Sequence, residues 1–556
     1  MIVDIKELLE KAIYKATRQA MTDGVFSADE LPKIILEVPP KKEFGDFATN
    51  FAMQAAKAAK TNPKVIAEAI VQRLQETWLA KTIIAGPGFI NFYLKSDWLY
   101  TMLADILSQG EAYGNSLSGA GERVQVEFVS ANPTGPLHVG HGRGAAVGSS
   151  LVNLLKAAGY NVASEYYIND AGNQIDNLAA SVNARYQELL GQPVEFPTDG
   201  YHGQDIVATA QGIIDRDGDK HLAATVEERL LRFKDIALHE KLAALKADME
   251  AFNVHFDVWF SECTLHDSNA LNETCQLLQD NGSIYEKDGA LWLKSTAYGD
   301  DKDRVVIREN GIPTYLAADI AYHRNKLERG FDKLINIWGA DHHGYICRVK
   351  AAITCLGYRP EQLEVLIVQM VSLFRNGELV KMSKRTGQSV TLTELIEEVG
   401  TDAARFFFIM RSLDSQLDFD LDLAKSRSSE NPVYYIQYAH ARIASIFRQL
   451  AEGGITLNDI DNTKLCLLTS EYEIDLIKKM GEYQEEISDA ARERAPHRIA
   501  RYVLDLAGLF HTFYSQCHIN GVDHDLQQAR MALAAAVQST IRHALGVLGI
   551  NAPDKM

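Results

Sequence analysis

Two hydrophobic periods divide the chain. Helical spacing opens it, gives way to Ile34-Ile-Leu-Glu-Val and Phe44-Gly-Asp-Phe-Ala-Thr-Asn-Phe51, and returns in an Ala-rich helix. Gly86-Pro-Gly-Phe-Ile-Asn-Phe-Tyr-Leu94 then reads as a turn into a strand, so residues 1–110 form a small α+β domain with Lys41 and Lys42 in a solvated loop. From Val124 the alternation of Val124, Val126 and Phe128 with polar residues predicts a strand. A turn rich in Asn, Pro and Gly follows, then a helix crowded with small residues as far as Ala158, then a second strand at Asn161-Val-Ala-Ser-Glu-Tyr-Tyr-Ile168. A βαβ unit of this kind implies a doubly wound parallel sheet, Rossmann-like, that binds ligands at the carboxyl ends of its strands. Asn169-Asp170 sits at such an end.

Residues 172–290 carry mostly charged amphipathic helix and read as an insertion between two halves of the nucleotide fold. The second half is expected to resume at Leu291-Trp-Leu and Arg304-Val-Val-Ile-Arg, and to continue through Leu334-Ile-Asn-Ile-Trp338. Val365-Leu-Ile-Val-Gln-Met-Val371 is a further buried parallel-strand candidate. The α/β catalytic domain then spans 120–385, connecting helices fill 386–430, and an all-α bundle occupies 431–556.

Composition narrows the class. An apolar fraction of 46% supports large packed cores, and no apolar run is long enough for a spanning helix, so no membrane is expected. The start, Met1-Ile-Val-Asp-Ile-Lys-Glu-Leu-Leu-Glu, reads as an acidic amphipathic helix and not as a targeting peptide. Six cysteines without a Cys-x-x-Cys pair read as reduced thiols of a cytoplasmic protein with no zinc. A net charge of −18 weighs against a nucleic-acid partner only on average, because an acidic body can carry a basic groove.

The candidate chemistry lies in two loops. Strand, Gly-rich turn and helix start place free amide donors and a helix dipole at His138-Val-Gly-His141, an anion site where two imidazoles could donate to phosphate. Two ordinary turn histidines would read the same. Lys381-Met-Ser-Lys384 is a polar loop whose two cations suit a polyphosphate gaining charge during transfer; a surface loop would look no different. The ordered pair of motifs in one nucleotide fold is what is specific.

That order resembles the class I aminoacyl-tRNA synthetases. Glu127 to His141, Tyr167-Ile-Asn-Asp-Ala-Gly172, Pro313-Thr-Tyr-Leu-Ala-Ala-Asp-Ile-Ala-Tyr-His323 and Asn431-Pro-Val-Tyr-Tyr-Ile-Gln-Tyr-Ala-His-Ala-Arg442 are similar to the bacterial arginyl enzymes in particular. Phe44-Gly-Asp-Phe-Ala-Thr-Asn-Phe51 resembles the additional domain in front of those enzymes. The likeness implies ATP-dependent activation of arginine and its transfer to tRNA(Arg), with Mg2+ accompanying ATP and a monomer as the working unit. It gives His138, Gly140, His141, Asp341, His342, Met370, Lys381 and Lys384 to ATP, with His138, His141, Lys381 and Lys384 catalytic. Arg385 stands where the family's loop pattern has Ser.

A buried guanidinium needs carboxylates and planar acceptors, and the likeness implies Tyr315 and Asp319 for the guanidinium, Glu127 and Asn132 for the backbone end of arginine, and His343 beside them. A helix-start charge at Asp319, a core aromatic at Tyr315 and a helix cap at Asp341 are the plainer readings of those three residues. Tyr434, Tyr435, Tyr438, Arg442, Arg448 and Arg498 would contact tRNA, by stacking splayed bases and pairing phosphates. At least one of the three tyrosines is expected in the core, and Arg492, Arg494, Arg498 and Arg501 form a basic cluster opposed only by Glu493. The rivals are a cysteinyl or methionyl synthetase, which commonly uses thiol-bound zinc, a shorter nucleotidylyltransferase, and an inactive tRNA-binding relative.

Overall fold

A computed structural model describes residues 5–380, 390–458 and 462–556, so Lys381 and Lys384 lie outside the described residues. The chain forms two compact units, each assembled from separated segments. Unit 1 comprises Met1–Tyr113, Ser445–Glu482 and Leu509–Ser539; unit 2 comprises Gly114–Ala444, Tyr483–Gly508 and Thr540–Met556. The C-terminal helices Pro432–Glu452, Pro496–Gln516 and His524–Val547 each give residues to both units.

In unit 1, α1 (Ile5–Thr22), α2 (Phe51–Ala59) and α3 (Pro63–Val71) pack with a three-stranded antiparallel sheet of β1 (Phe47–Thr49), β2 (Leu79–Ala85) and β3 (Phe89–Leu94), in the order β1-β3-β2. Leu9, Ile13, Phe51, Ile66, Ile70 and Phe92 fill its core. α4 (Asp97–Gln109) follows, and the Tyr100 hydroxyl donates to the Leu468 carbonyl at 3.1 Å, joining that segment to the helical part of the same unit.

Unit 2 holds the parallel sheet. β4 (Arg123–Glu127), β5 (Asn161–Ile168), β6 (Val258–Ser261), β10 (Lys333–Gly339) and β11 (Leu363–Val368) run parallel in the order β11-β10-β4-β5-β6. The winding reverses between β10 and β4, and a doubly wound sheet opens its ligand crevice at such a point. α5 (Val139–Ala157) connects β4 to β5; α6 (Asn173–Leu189), α7 (Gln204–Asp217) and α8 (Val226–Ala251) connect β5 to β6. α9 (Cys263–Asp267), α10 (Ala270–Asp280), α11 (Tyr315–Glu328) and α12 (Ile346–Cys355) complete the frame, with α13 (Leu392–Val399) and α14 (Thr401–Ile409) after it.

Three expectations need correction. The segment read as helical insertion contains the edge strand β6, four residues whose neighbours are helical in period and drown its signal. Leu291-Trp-Leu and Arg304-Val-Val-Ile-Arg are not in the parallel sheet: β7 (Ile284–Lys287), β8 (Ala290–Leu293) and β9 (Arg304–Ile307) form a separate antiparallel sheet. Its first hairpin turns on Asp288 and Gly289, both at positive φ (53° and 73°), the two-residue turn that Asp-Gly favours. Finally, the apolar run 365–371 breaks at Gln369-Met370, and β12 (Val371–Arg375) pairs instead with β13 (Glu378–Leu379) and β14 (Leu417–Asp420).

α5 explains its own odd composition. Nearly every residue along it is buried, so it needs small side chains on all faces and has no single apolar stripe. A Cβ on Gly148 would lie 2.3 Å from Cγ of Phe128, and one on Gly142 2.8 Å from Leu392. At the far side of the helix the C-terminal tail crosses unit 2. Arg405 donates to the Leu548 carbonyl at 2.9 Å and to Ser149 Oγ at 2.8 Å, and Ser150 Oγ donates to the same carbonyl at 3.1 Å. Gly549 (φ +68°) has to be glycine there, since a Cβ would stand 2.3 Å from the Arg405 guanidinium.

Candidate active site

β4 delivers Glu127 to the crevice and then bends sharply. Val129 and Ser130 both have positive φ (68° and 41°), a conformation that costs about 1–3 kcal/mol at each non-glycine residue. The bend puts Ser130 Oγ where it donates to Glu127 Oε1 at 3.0 Å and accepts from the Tyr167 N–H at 3.1 Å. The other carboxylate oxygen of Glu127 accepts from Lys326 Nζ at 2.5 Å. Lys326 is fully buried, donates also to Asn336 Oδ1 at 3.2 Å and lies 4.2 Å above the Tyr322 ring. Asn336 meets His323 Nε2 at 2.9 Å, and His323 Nδ1 lies 2.8 Å from the Asp319 carbonyl. Burial, with the Lys326 charge beside it, pushes His323 down to about 3, so it is neutral and serves as a hydrogen-bonding link.

Asp319 is the most strongly perturbed carboxyl in the crevice. Burial raises its carboxyl to about 7, and the charges of Glu127 and Glu262 push the same way. The Tyr345 hydroxyl, donating to Asp319 Oδ2 at 2.5 Å, and the Lys326 charge oppose that rise. Glu262 follows directly on β6, is buried, accepts from the Tyr167 hydroxyl at 2.8 Å and is itself shifted upward by burial. Its second neighbour is the Asn169 amide, oriented to donate to Glu262 Oε2 at 3.1 Å. Glu127 and Glu262 thus both bear on Asp319, while Lys326 pairs with Glu127 and His266 Nε2 lies 3.6 Å from Glu262 Oε1. A cation brought between Asp319 and Glu262 would find acceptors that are already desolvated.

The helix start is built otherwise. The His138 and His141 rings stack at 3.7 Å between centroids. His138 Nδ1 accepts from the Gly140 N–H at 3.1 Å, and His141 Nδ1 accepts from the His138 N–H at 3.3 Å. With both Nδ1 atoms accepting, the neutral rings carry their protons on Nε2, the donor a phosphate oxygen requires. A side chain on Gly140 would come 3.0 Å from the His138 ring. Leu392 N–H donates to the Leu137 carbonyl at 2.8 Å and Thr391 bridges His138, so the chain that resumes after Lys381 and Lys384 is strapped to this helix start.

The remaining candidates line the open side. Asp341, His342 and His343 follow β10 and are exposed; Gly339, not Asp341, caps the short helix there, and Asp341 Oδ1 lies 3.2 Å from His342 Nδ1. Met370 is 66% exposed, Tyr315 is 55% exposed and so is no core aromatic, and Asn132 is exposed. Among the tRNA candidates, Tyr434 and Tyr438 stack at 6.1 Å, and Arg442 lies over the Tyr438 ring at 4.5 Å while donating to its hydroxyl at 2.9 Å. None of Tyr434, Tyr435 and Tyr438 is buried, contrary to expectation, because the helix turns Val433, Ile436 and Ala439 inward instead. Arg448 is exposed in unit 1.

The basic cluster is also corrected. Arg498 forks onto Glu486 at 2.7 and 3.0 Å and onto Glu493 at 2.7 Å, while Arg492 pairs with Asp489 and Arg494 with Glu364. Those acids come from other turns and another element, which a local reading of charge misses.

Family models match along the whole chain: the arginyl tRNA synthetase N-terminal domain over residues 4–94, the class I tRNA synthetase (R) catalytic domain over 102–411, and the DALR anticodon binding domain over 436–556. An arginine–tRNA ligase of Carboxydothermus hydrogenoformans is 54% identical over 97% of both chains. The chain belongs to the arginyl-tRNA synthetase family. A family member from Geobacillus kaustophilus is 53% identical over the full length of both chains. The solved arginyl-tRNA synthetase of Thermus thermophilus, 24% identical, shares the fold with a TM-score of 0.76 over 99% of this chain and all of that one.

Sequence reasoning missed Glu262, Tyr167, Tyr345 and Lys326 as parts of this arginyl-tRNA synthetase crevice. Only Tyr167 lay in a motif already singled out. The others come from the end of an unrecognised strand, a turn and the far side of a helix, and no local pattern marks them.

Proposed function

We propose that the chain joins arginine to tRNA(Arg) in two steps, through an arginyl-adenylate. In the first, an arginine carboxylate oxygen attacks the α-phosphorus of ATP, the bond to the β-phosphate oxygen breaks, and pyrophosphate leaves. In the second, a hydroxyl of the terminal tRNA ribose attacks the adenylate carbonyl and AMP departs. The observation that supports this reading is the group of acids Glu127, Glu262 and Asp319, tied together through Tyr167, Tyr345, Ser130 and Lys326, in the same nucleotide fold as the stacked His138 and His141 at the start of α5.

Asp319 and Glu262 take the guanidinium, with Tyr315 along its plane; Glu127, with lone pairs left beyond Lys326 and Ser130, takes the α-ammonium together with Asn132. His343 borders the same pocket. His138 and His141 donate to the phosphates, Gly140 lets the nucleotide approach the backbone, and Asp341, His342 and Met370 border the nucleoside. Lys381 and Lys384 stabilise the departing pyrophosphate. Mg2+ enters on the ATP phosphates, where it neutralises their charge; among the described residues no group of three or more His, Cys, Asp or Glu could hold a metal by itself. Tyr434, Tyr435, Tyr438 and Arg442 offer stacking faces and a cation to tRNA, and Arg448 a further cation. Arg498, already forked between two glutamates, is the weakest of that set. The reaction belongs to cytoplasmic protein synthesis, and one chain carries every group named, so a monomer suffices.

Pyrophosphate exchange driven by each amino acid in turn, with and without tRNA, tests the reading. Exchange with arginine alone, and only with tRNA(Arg) present, is expected. Exchange with cysteine or methionine would overturn the specificity, and silence with every amino acid would mark an inactive tRNA binder.

A further inference from the structure

Arg143 takes no part in the reading above, yet it sits two residues past His141 and is fully buried. Its guanidinium meets no carboxylate. Nη1 donates to the Gln369 carbonyl at 2.9 Å and the Ser415 carbonyl at 2.8 Å, and Nη2 to the Ser412 carbonyl at 2.8 Å. Those acceptors stand where β12 and β14 begin. The two segments are laced together there, Gln369 N–H to the Leu413 carbonyl at 3.0 Å and Leu417 N–H to the Met370 carbonyl at 3.1 Å.

A buried cation that hydrogen-bonds no carboxylate, with only the Asp414 charge nearby, is an expensive way to fill space, and an apolar side chain of similar length would pack without that cost. What arginine adds is a rigid planar fork. Three donors directed at three carbonyls from two segments fix both the depth and the rotation of α5 against them. One of those segments carries Met370 and the other end of the lever carries His138 and His141.

We propose that Arg143 is a positioning residue for adenylate formation: it holds the His138–His141 end of α5 and the Gln369–Met370 turn at one separation, so that the phosphates and the nucleoside of ATP are gripped together. The inference rests on the two-step reaction proposed above. Misplacement of reacting groups by about 1 Å costs on the order of 10²-fold in rate, which is the scale a lost fork would reach.

The test compares the parent chain with Arg143→Met and Arg143→Lys in two assays, arginine-dependent pyrophosphate exchange and transfer of arginine to tRNA from added arginyl-adenylate. For Arg143→Met, the exchange kcat is expected to fall about 10–100-fold, with the arginine KM and the transfer rate within about twofold of the parent. Arg143→Lys, which supplies charge and donors without the plane, should recover part of the loss. A folded Arg143→Met chain with exchange within about twofold of the parent overturns the proposal. So does an equal fall in exchange and transfer, since that marks general loosening. If Arg143→Met does not fold, Arg143→Lys is judged by the same split. Failure of the parent itself to exchange with arginine in the presence of tRNA(Arg), the condition used for both variants, would sink the proposed reaction and is seen before either variant is made.

Discussion

The acidic end of the crevice, which we propose takes arginine, and the helix-start end, which we propose takes ATP, are built on opposite plans. At the first, Glu127, Glu262 and Asp319 are held by Lys326, Ser130, Tyr167 and Tyr345 before any substrate arrives. At the second, Asp341, His342 and Met370 stand in solvent. The difference follows from what each ligand end demands. A guanidinium must leave water, and only groups already desolvated and oriented compensate that loss selectively. A nucleotide can be met largely by backbone donors at a helix start, which need no buried charge.

The contrast can be broken from either side. Lys326→Met leaves Glu127 buried beside no cation, and is expected to lower stability by about 3–5 kcal/mol in denaturant unfolding, with Glu127→Gln in the same chain restoring much of it. Equal losses in the single and double variants would show that Lys326 matters for packing alone. Asp319→Ala should lower kcat/KM for arginine about 10²–10³-fold while the ATP KM hardly moves. An unchanged arginine KM would remove Asp319 from the guanidinium site.

A third effect is a pH dependence confined to the amino-acid end. Burial pushes the Asp319 carboxyl up to about 7, and in the proposed reading arginine takes its ionised form. Arginine affinity is therefore expected to drop as pH falls through 7, by about tenfold from pH 8 to pH 6, with proton release on binding at the lower pH visible by calorimetry in two buffers. In the ligand-free chain the sign runs the other way. A carboxyl raised above its unfolded value of 3.8 makes the fold less stable as pH rises from the ordinary carboxylate range to about 7. The smallest effect belongs to the open end: Met370→Ala should raise the ATP KM by about threefold or less, since an exposed side chain contributes little beyond its contact area.

The sequence made the strand-turn-helix legible because period and turn chemistry agree there: Val124, Val126 and Phe128 alternate, Asn and Pro break the strand, and small residues announce a helix buried on every face. The local motif at His138–His141 could be read for the same reason, and the structure puts it at the start of α5; Lys381 and Lys384 lie outside the described residues. The amino-acid end was half legible. Asp319 lay within a motif, but Glu262 and Lys326 take their meaning from partners 95 and 199 residues away. Distances of that kind exist only once β4, β5, β6 and α11 have come together. The charge of Arg498 failed for the related reason that its opposing acids come from other turns of the chain.

The crossing of the C-terminal tail carries a consequence for biosynthesis. Arg405 is synthesised 143 residues before Leu548, whose carbonyl it needs. At about 5–20 residues per second the ribosome takes roughly seven to thirty seconds to span that gap. During it Arg405 can already reach Ser149 Oγ and the Phe252 and Asn253 carbonyls, but not the carbonyl of Leu548. The seat of α14 against α5 therefore gains its full set of hydrogen bonds only after residue 548 has been made.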